Sequence, residues 1–247
     1  LVDKQSIIDN VYMGLAVPQW SPVSILSPFY APEVVAKYEY DPDAAAQLLD
    51  QIGLVDQNGD GWRDLPDGTT FEFELNTNVG NTVREQICQI FADDCAKVGI
   101  KVNFNPINFN ALVTKLLGSE YEAVLLGLTG SSEPNSGANV YRSCGGLHFW
   151  RYSECENPRP FQQRIDELYD LGVKTYDFDE AYQYYAEFQK LFSENVDLIF
   201  TVNMVFRYAL YKNLKNTAEF SPLAGALGFS EYLWKENPNM VGNRVVG

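Results

Sequence analysis

The stretch from Phe71 to Leu126, FEFELNTNVG NTVREQICQI FADDCAKVGI KVNFNPINFN ALVTKLLGSE YEAVLL, decides the fold, because the period of its apolar residues switches repeatedly between two and 3.6. Phe71, Phe73 and Leu75 alternate as in a strand, and Val83, Ile87, Ile90, Phe91 and Val98 form a helical stripe closed by Gly99. Ile100, Val102 and Phe104 alternate again, Phe109, Leu112, Val113 and Leu116 make a second helix, and Ala123 to Leu126 suits a strand buried on both faces. The order β-α-β-α-β calls for right-handed crossovers between parallel strands in one helix-covered sheet. In such open sheets ligands gather beyond the carboxyl ends of the strands. Those ends are residues 76–81, 106–108 and 127–139, poor in charge and rich in amides and hydroxyls: Asn76, Thr77, Asn78, Asn81, Asn108, Thr129, Ser131, Ser132, Asn135 and Asn139, with Glu133 as the acid among them. A rim of that kind suits hydrogen bonding to a neutral or zwitterionic small molecule.

Working outward, Ile7, Ile8 and Val11 share one face of a helix from Lys4 to Val11 that Gly14 stops. Pro18, Pro22, Pro28 and Pro32 then forbid a helix or a central strand, so an irregular crossing loop is expected. Asp41 is placed to cap a helix with Pro42 at its first position, Ala45, Leu48, Leu49 and Ile52 as its inner stripe and Gly53 at its end. Two further helices carry Phe161, Ile165, Leu168 and Tyr185, Phe188, Leu191, Phe192, the second with Asp179 as a candidate cap. Leu198 to Val202 reads as a buried strand, and the chain after Asn213, with Phe220, Phe229, Tyr232 and Trp234, reads as irregular. The resulting division is a body over 1–212, its core over 40–205, and a segment over 213–247 whose scattered aromatic residues would pack on a further lobe.

The chain has 247 residues, 46% hydrophobic and 14% aromatic, with no apolar run reaching the ~18 residues a membrane span needs. Its 33 acidic against 18 basic side chains, a formal charge of −15, repel a phosphate backbone, so nucleic acid is excluded as an expected partner. Cys88 and Cys95 lie seven apart in a helical pattern, about 10.5 Å along the axis, too far to bond, and read as small buried residues. Cys144 and Cys155 flank a loop rich in Gly, Ser and aromatic residues; a bridge there would fix the loop and imply an oxidising compartment.

A single histidine, His148, leaves no histidine-rich zinc site and one candidate base for a nucleophile pair. Set between Leu147 and Phe149, it reads first as a packed or hydrogen-bonded loop residue and second as a ligand contact. Phe149, Trp150 and Tyr152 are either loop packing or a stacking wall of a pocket. The run Asp56-Gln57-Asn58-Gly59-Asp60-Gly61-Trp62-Arg63-Asp64 has the oxygen spacing of a calcium loop at Asp56, Asn58, Asp60 and Asp64, with Asp67 where a Glu is usual. A turn joining the helix that ends at Gly53 to the strand at Phe71 is the favoured alternative. No cofactor is expected beyond that calcium candidate. A carbohydrate-active enzyme is the lesser alternative: glycoside hydrolysis needs two carboxylates, Glu133 is the only acid in the strand-end loops, and Asp93-Asp94 and Asp177-Asp179-Glu180 read as solvated helix surface or caps.

Five motifs in order also resemble a known family. Val2-Asp3-Lys4-Gln5-Ser6-Ile7-Ile8, leaving through Gly14-Leu15-Ala16-Val17-Pro18, is similar to a "D-R-x-x-I" helix and its exit. Tyr40-Asp41-Pro42-Asp43-Ala44-Ala45 with Leu48-Leu49, Asp60-Gly61-Trp62-Arg63-Asp64, Asn81-x-x-Arg84, and Tyr182 with Phe188-Gln189 follow. Together they resemble the extracellular solute-binding proteins of the dipeptide, oligopeptide and nickel type, family 5. That resemblance implies the C-terminal, ligand-binding lobe of the type II periplasmic-binding fold, α/β with a mostly parallel sheet, closing with an N-terminal lobe that would precede Leu1 on a small oligopeptide or, alternatively, an oligosaccharide. It also implies a periplasmic or extracellular site, with a lipid anchor on the full-length protein as one option, an ABC permease as partner, and no catalysis. In peptide-binding members an Asp-Pro holds the ligand's amino terminus; here Glu133-Pro134 stands there, and Leu128 replaces a Trp. Ser143 to Trp150 is similar to an "S-G-x-L-H-x-W" stretch of some members. The candidate ligand residues are therefore Asn78, Asn81, Thr129, Glu133, Asn139, His148 and Trp150.

Overall fold

The computed structural model describes residues 1–128 and 133–207 and the backbone of 214–215 and 234–235. Chain order dictates the first helix: Asp3 accepts the Ser6 N–H at 2.8 Å, starting α1 (Lys4–Ser6). The helix does not continue in α form as its stripe suggests, but widens to a π turn over Ile7–Val11, burying Ile7 and Ile8. It ends through Gly14, whose φ of 77° a side chain would resist. β1 (Ala16–Pro18) then pairs antiparallel with β5 (Val202–Met204) in a two-stranded ribbon, where Pro18 removes no ladder bond from a sheet interior.

Residues 19–41 hold neither helix nor strand, as Pro22, Pro28 and Pro32 require. α2 (Pro42–Gln51) begins where Asp41 accepts the Ala44 N–H at 2.8 Å. Its inner stripe is narrower than the apolar pattern indicates. Leu48 and Ile52 are 61% and 70% exposed, while Ala46 and Leu49 pack on Cys95, Val98 and Ile100. The helix lies at the margin of the lobe and has only one covered edge.

The central sheet is as the alternating periods require: β2 (Glu72–Asn78), β3 (Lys101–Ile107) and β4 (Ala123–Val124) are parallel in the order β3-β2-β4, with Leu75 opposite Phe104 and Ala123. The crossovers are α3 (Thr82–Lys97) and α4 (Phe109–Gly118). β4 is shorter than Ala123 to Leu126 and only half-buried, because it is the edge of the described sheet. Cys88 and Cys95 are free and buried in α3, where burial pushes both thiols up to about 12.

The second half of the core is an antiparallel helix pair, α6 (Pro160–Lys174) and α7 (Phe178–Asn195), with the short α5 (Ala138–Tyr141) beside it. Ile165, Leu168, Tyr169, Phe188 and Phe192 are essentially inaccessible between them. Gly172 allows the close approach: a Cβ there would sit 2.6 Å from Tyr185 Cζ. α7 is capped by Asp177, which accepts the Glu180 N–H at 2.9 Å, rather than by Asp179, because Asp177 has the extended backbone a cap needs. The buried Gln189 ties the proline-rich segment to α7, accepting from Ser21 Oγ (2.9 Å) and Ala31 N–H (3.2 Å) and donating to Phe29 O (2.8 Å).

Leu198 to Val202 is not a buried strand. β5 starts at Val202, and Ile199 is 61% exposed because the segment runs along the lobe surface. Nor is the chain after Asn213 wholly irregular, since β6 (Leu214–Lys215) pairs antiparallel with β7 (Trp234–Lys235). The 212/213 boundary and the side chains of Phe220, Phe229, Tyr232 and Trp234 lie outside the described residues.

Candidate functional site

At the carboxyl ends of the parallel strands the polar rim is largely consumed by the fold itself. β2 runs on to Asn78, so Asn76 and Thr77 lie inside the sheet, fully buried, rather than in a loop. Asn76 Nδ2 donates to Asn105 O and Thr77 Oγ1 to Leu125 O, each at 2.9 Å, because a buried polar group must be satisfied. Asn78 Oδ1 accepts from Arg84 Nη1 at 2.6 Å, and Asn81 Oδ1 caps α3 by accepting the Arg84 N–H at 3.1 Å. Asn108 caps α4 in the same way, accepting the Asn110 N–H at 2.9 Å. The strand ends also expose the apolar Val79, Phe109 and Leu128. Thr129, Ser131 and Ser132 lie outside the described residues.

The loop between Cys144 and Cys155 is bridged by a disulfide. Inside it His148 is fully buried, with Nδ1 3.1 Å from Val140 O and Nε2 3.0 Å from Glu154 Oε2. Glu154 is buried too and accepts from Arg159, which also reaches Asp197 at 2.7 Å. Burial works against ionising the Glu154 carboxyl, and the Arg159 and His148 hydrogen bonds outweigh it, holding the group below the usual carboxylate range. His148 thus spends both ring nitrogens within the loop and its packing on α5. Trp150 is turned inward as well, its ring centroid 4.3 Å from His148, 6.2 Å from Phe192 and 6.5 Å from Tyr141. Asn139 Oδ1 accepts the Gly146 N–H at 2.8 Å and so serves the same loop. Three of the expected ligand residues, Asn139, His148 and Trp150, therefore make contacts within this loop and its packing on α5 and α7.

In the segment 56–64 the oxygens turn onto the loop's own backbone. Asp56 accepts the N–H groups of Gly59 (2.7 Å) and Gly61 (2.9 Å), Asn58 that of Asp60 (2.8 Å), Asp60 that of Trp62 (2.9 Å), and the buried Asp64 that of Gln57 (2.8 Å). Gly61 and Gly59 hold the Asp56 carboxyl below the ordinary range. Asp64 bridges antiparallel to Thr70, closing a hairpin, and Arg63 Nε donates to Val98 O at 2.6 Å, latching the hairpin to the end of α3. Among the described residues no group of three or more His, Cys, Asp or Glu is placed to hold a metal ion.

A concavity does form at Glu133. An open depression of about 510 Å³ lies between Glu133, at the head of the turn Pro134–Gly137, and the connection from α6 to α7. Phe29, Tyr176, Phe178 and Tyr185 wall it, and Glu133 and Asp177 line it as acids. Burial first, and the Glu133 charge second, push the Tyr185 hydroxyl up, which places that carboxylate's field on the floor of the depression. Of the expected ligand residues, Glu133 lines this depression. Its aromatic walls escaped sequence reading because they come from three distant pieces of chain. The one signal was Tyr176, an aromatic between two helices and outside both apolar stripes.

Comparison with known proteins bears on what such a lobe does. Residues 1–148 match the model of the bacterial extracellular solute-binding proteins, family 5 middle region. The chain is 30% identical over 194 residues to the oligopeptide-binding protein AppA of Bacillus subtilis, covering 76% of this chain and 35% of that protein. It is 29% identical over 209 residues to a probable ABC transporter-binding protein of Deinococcus radiodurans, covering 79% and 35%. The chain therefore spans about a third of the length of these relatives. The structure of AppA in complex with a nonapeptide superposes with a TM-score of 0.74 at 27% identity over 95% of this chain and 45% of that one. A mannohexaose-bound periplasmic oligopeptide-binding protein of Thermotoga maritima shares the fold, with a TM-score of 0.70 at 22% identity over 83% and 40%.

Proposed function

We propose, because the chain belongs to the bacterial extracellular solute-binding proteins of family 5, that it forms the ligand-binding lobe of a receptor that captures small oligopeptides outside the cytoplasm and delivers them to an ABC permease. The observation that carries this reading is Glu133, an exposed residue on the edge of an aromatic-walled depression. A carboxylate there suits the ammonium of a peptide's free amino end, a charge-assisted contact that a neutral solute cannot return. The action is recognition without covalent chemistry: a second lobe closes over the bound peptide, and the closed form docks on the permease. The Cys144–Cys155 disulfide agrees with an oxidising, extracytoplasmic setting, and no helix among the described residues is long and apolar enough to cross a membrane.

Capture of an oligosaccharide is the second reading, supported by the aromatic walls and by the mannohexaose held in the Thermotoga maritima protein. Thermal shift of the intact protein with tripeptides and with mannohexaose separates the two. Stabilisation by tripeptides alone is the expected result, since a ligand of the folded state raises the midpoint by mass action. Stabilisation by mannohexaose alone would replace the peptide reading with the sugar reading.

A further inference from the structure

We infer that the Cys144–Cys155 bridge is a thiol–disulfide exchange site, opened in the folded protein by a dithiol of the C-x-x-C kind carried on another protein, and that the loop keeps its shape in both states. Both half-cystines are exposed, while Ser143, His148 and Glu154, which fix the loop beneath them, are buried. Exposure decides whether a thiolate can reach a disulfide sulfur at all. Each half-cystine also sits next to a residue anchored independently of the bridge. Ser143 donates its N–H to Asp166 Oδ1 at 2.9 Å and its hydroxyl to Oδ2 of the same carboxylate, on α6. Glu154 accepts from Arg159, the residue before α6, and lies 3.0 Å from His148 Nε2. Between these ends Asn139 accepts the Gly146 N–H at 2.8 Å on Oδ1 and the Leu147 N–H at 3.0 Å on its carbonyl. Both ends of the loop are thus pinned at α6, and the two sulfurs stay neighbours when the bond between them is broken.

That proximity decides which reductant works. A monothiol attacks one sulfur, displaces the other as a thiolate and stops at a mixed disulfide; the displaced cysteine, held beside it, attacks back and expels the monothiol. A dithiol begins in the same way, but its own second thiolate then attacks its bonded sulfur in the mixed disulfide and releases the second cysteine. Two electrons and two protons pass from the dithiol to the bridge, leaving two thiols here and a disulfide on the partner. The return path is equally confined. Of the four cysteines, Cys88 and Cys95 are buried in α3 with thiols pushed up to about 12, so neither supplies a thiolate to compete. Cys144 and Cys155 have only each other to re-pair with.

The test is incubation of the intact protein at neutral pH with reduced thioredoxin or with reduced glutathione at equal thiol concentration, followed by alkylation and mass measurement. At ~0.1 mM thiol the tethered cysteine, at an effective concentration of ~1 mM or more, outcompetes glutathione by about 10-fold or more. Thioredoxin should therefore label Cys144 and Cys155 alone, with the far-ultraviolet circular dichroism unchanged and the urea midpoint lowered, while glutathione reduces about 10-fold less. Oxidised glutathione should then restore the one bridge. Asp166→Ala, which removes the anchor of Ser143, should narrow the gap between the two reductants by about 5-fold, the worth of one hydrogen bond. Reduction by thioredoxin only after urea has unfolded the chain overturns the exchange site and leaves a structural staple. Labelling of Cys88 or Cys95, reduction by glutathione equal to that by thioredoxin, or a gap that Asp166→Ala leaves unchanged overturns it as well, because the loop ends are then not held; the wild-type comparison decides alone should that variant not fold.

Discussion

Replacing Gln189 by Met keeps the length and volume of the side chain and removes its hydrogen bonds, which isolates what those bonds do. The wild-type amide makes four: it accepts from Ser21 Oγ and Ala31 N–H and donates to Phe29 O and Tyr185 O. Two partners have an alternative. The Ser21 hydroxyl can rotate, and Tyr185 O already sits within a helix. Ala31 N–H and Phe29 O do not, since Ala31 is wholly inaccessible and Phe29 nearly so. Two orphaned buried groups at ~1–3 kcal/mol each give an expected loss of about 2–6 kcal/mol. Urea unfolding reads it as a lower midpoint with an unchanged slope. Because Phe29 is also a wall of the depression, binding should weaken in parallel. A loss below about 1 kcal/mol would refute the argument, meaning that the proline-rich segment is held by packing or by water and not by this amide.

Other consequences follow from the same contacts. Joint substitution Cys144→Ser and Cys155→Ser opens a loop of sequence separation 11, which by loop entropy should cost about 3 kcal/mol. Scanning calorimetry should show the midpoint fall by about 6–12 °C, and an unchanged midpoint would deny the bridge a stabilising role. Lys4, buried between Gln19 O and Phe200 O and over the Trp20 ring, has its ammonium lowered to about 8, chiefly by burial and against the opposing pull of Glu39. The unfolded chain then holds more protons than the folded one between about pH 8 and the ordinary lysine value of 10.5, so stability attributable to Lys4 rises with pH across that window and its cost is constant below it. Lys4→Met should flatten the stability profile from pH 8 to 10.5, measured by denaturant unfolding; an unaltered slope would contradict the assignment.

The sheet was legible because its signal is periodic and redundant. Gly99 and the stripe through Ile87 and Phe91 mark α3 independently of one another, and Asp41-Pro42 with Gly53 bracket α2 chemically. What the periodicity could not place was the exact point where β2 stops. A strand three residues longer turns Asn76 and Thr77 from ligand rim into buried ladder partners, and nothing in an amide's chemistry announces which it will be. The inward turn of Trp150 and His148 was hidden for a related reason, because a loop aromatic looks alike whether its ring faces a solute or Phe192. Asp177 and Asp179 were equally good caps by composition, and only the extended backbone at Asp177 separates them. The walls of the depression belong to no local pattern, since they meet only once Gln189 has docked residues 29–31 on α7.

The central claim, that Glu133 receives the ligand's free amino group, is tested most directly by a thermodynamic cycle crossing Glu133→Gln with N-acetylation of one tripeptide in the intact protein. The account predicts that either change alone weakens binding by about 10- to 150-fold, the worth of a charge-assisted hydrogen bond, and that the second change adds little once the first is made. Full additivity of the two losses, or tight binding unaffected by Glu133→Gln, would contradict it.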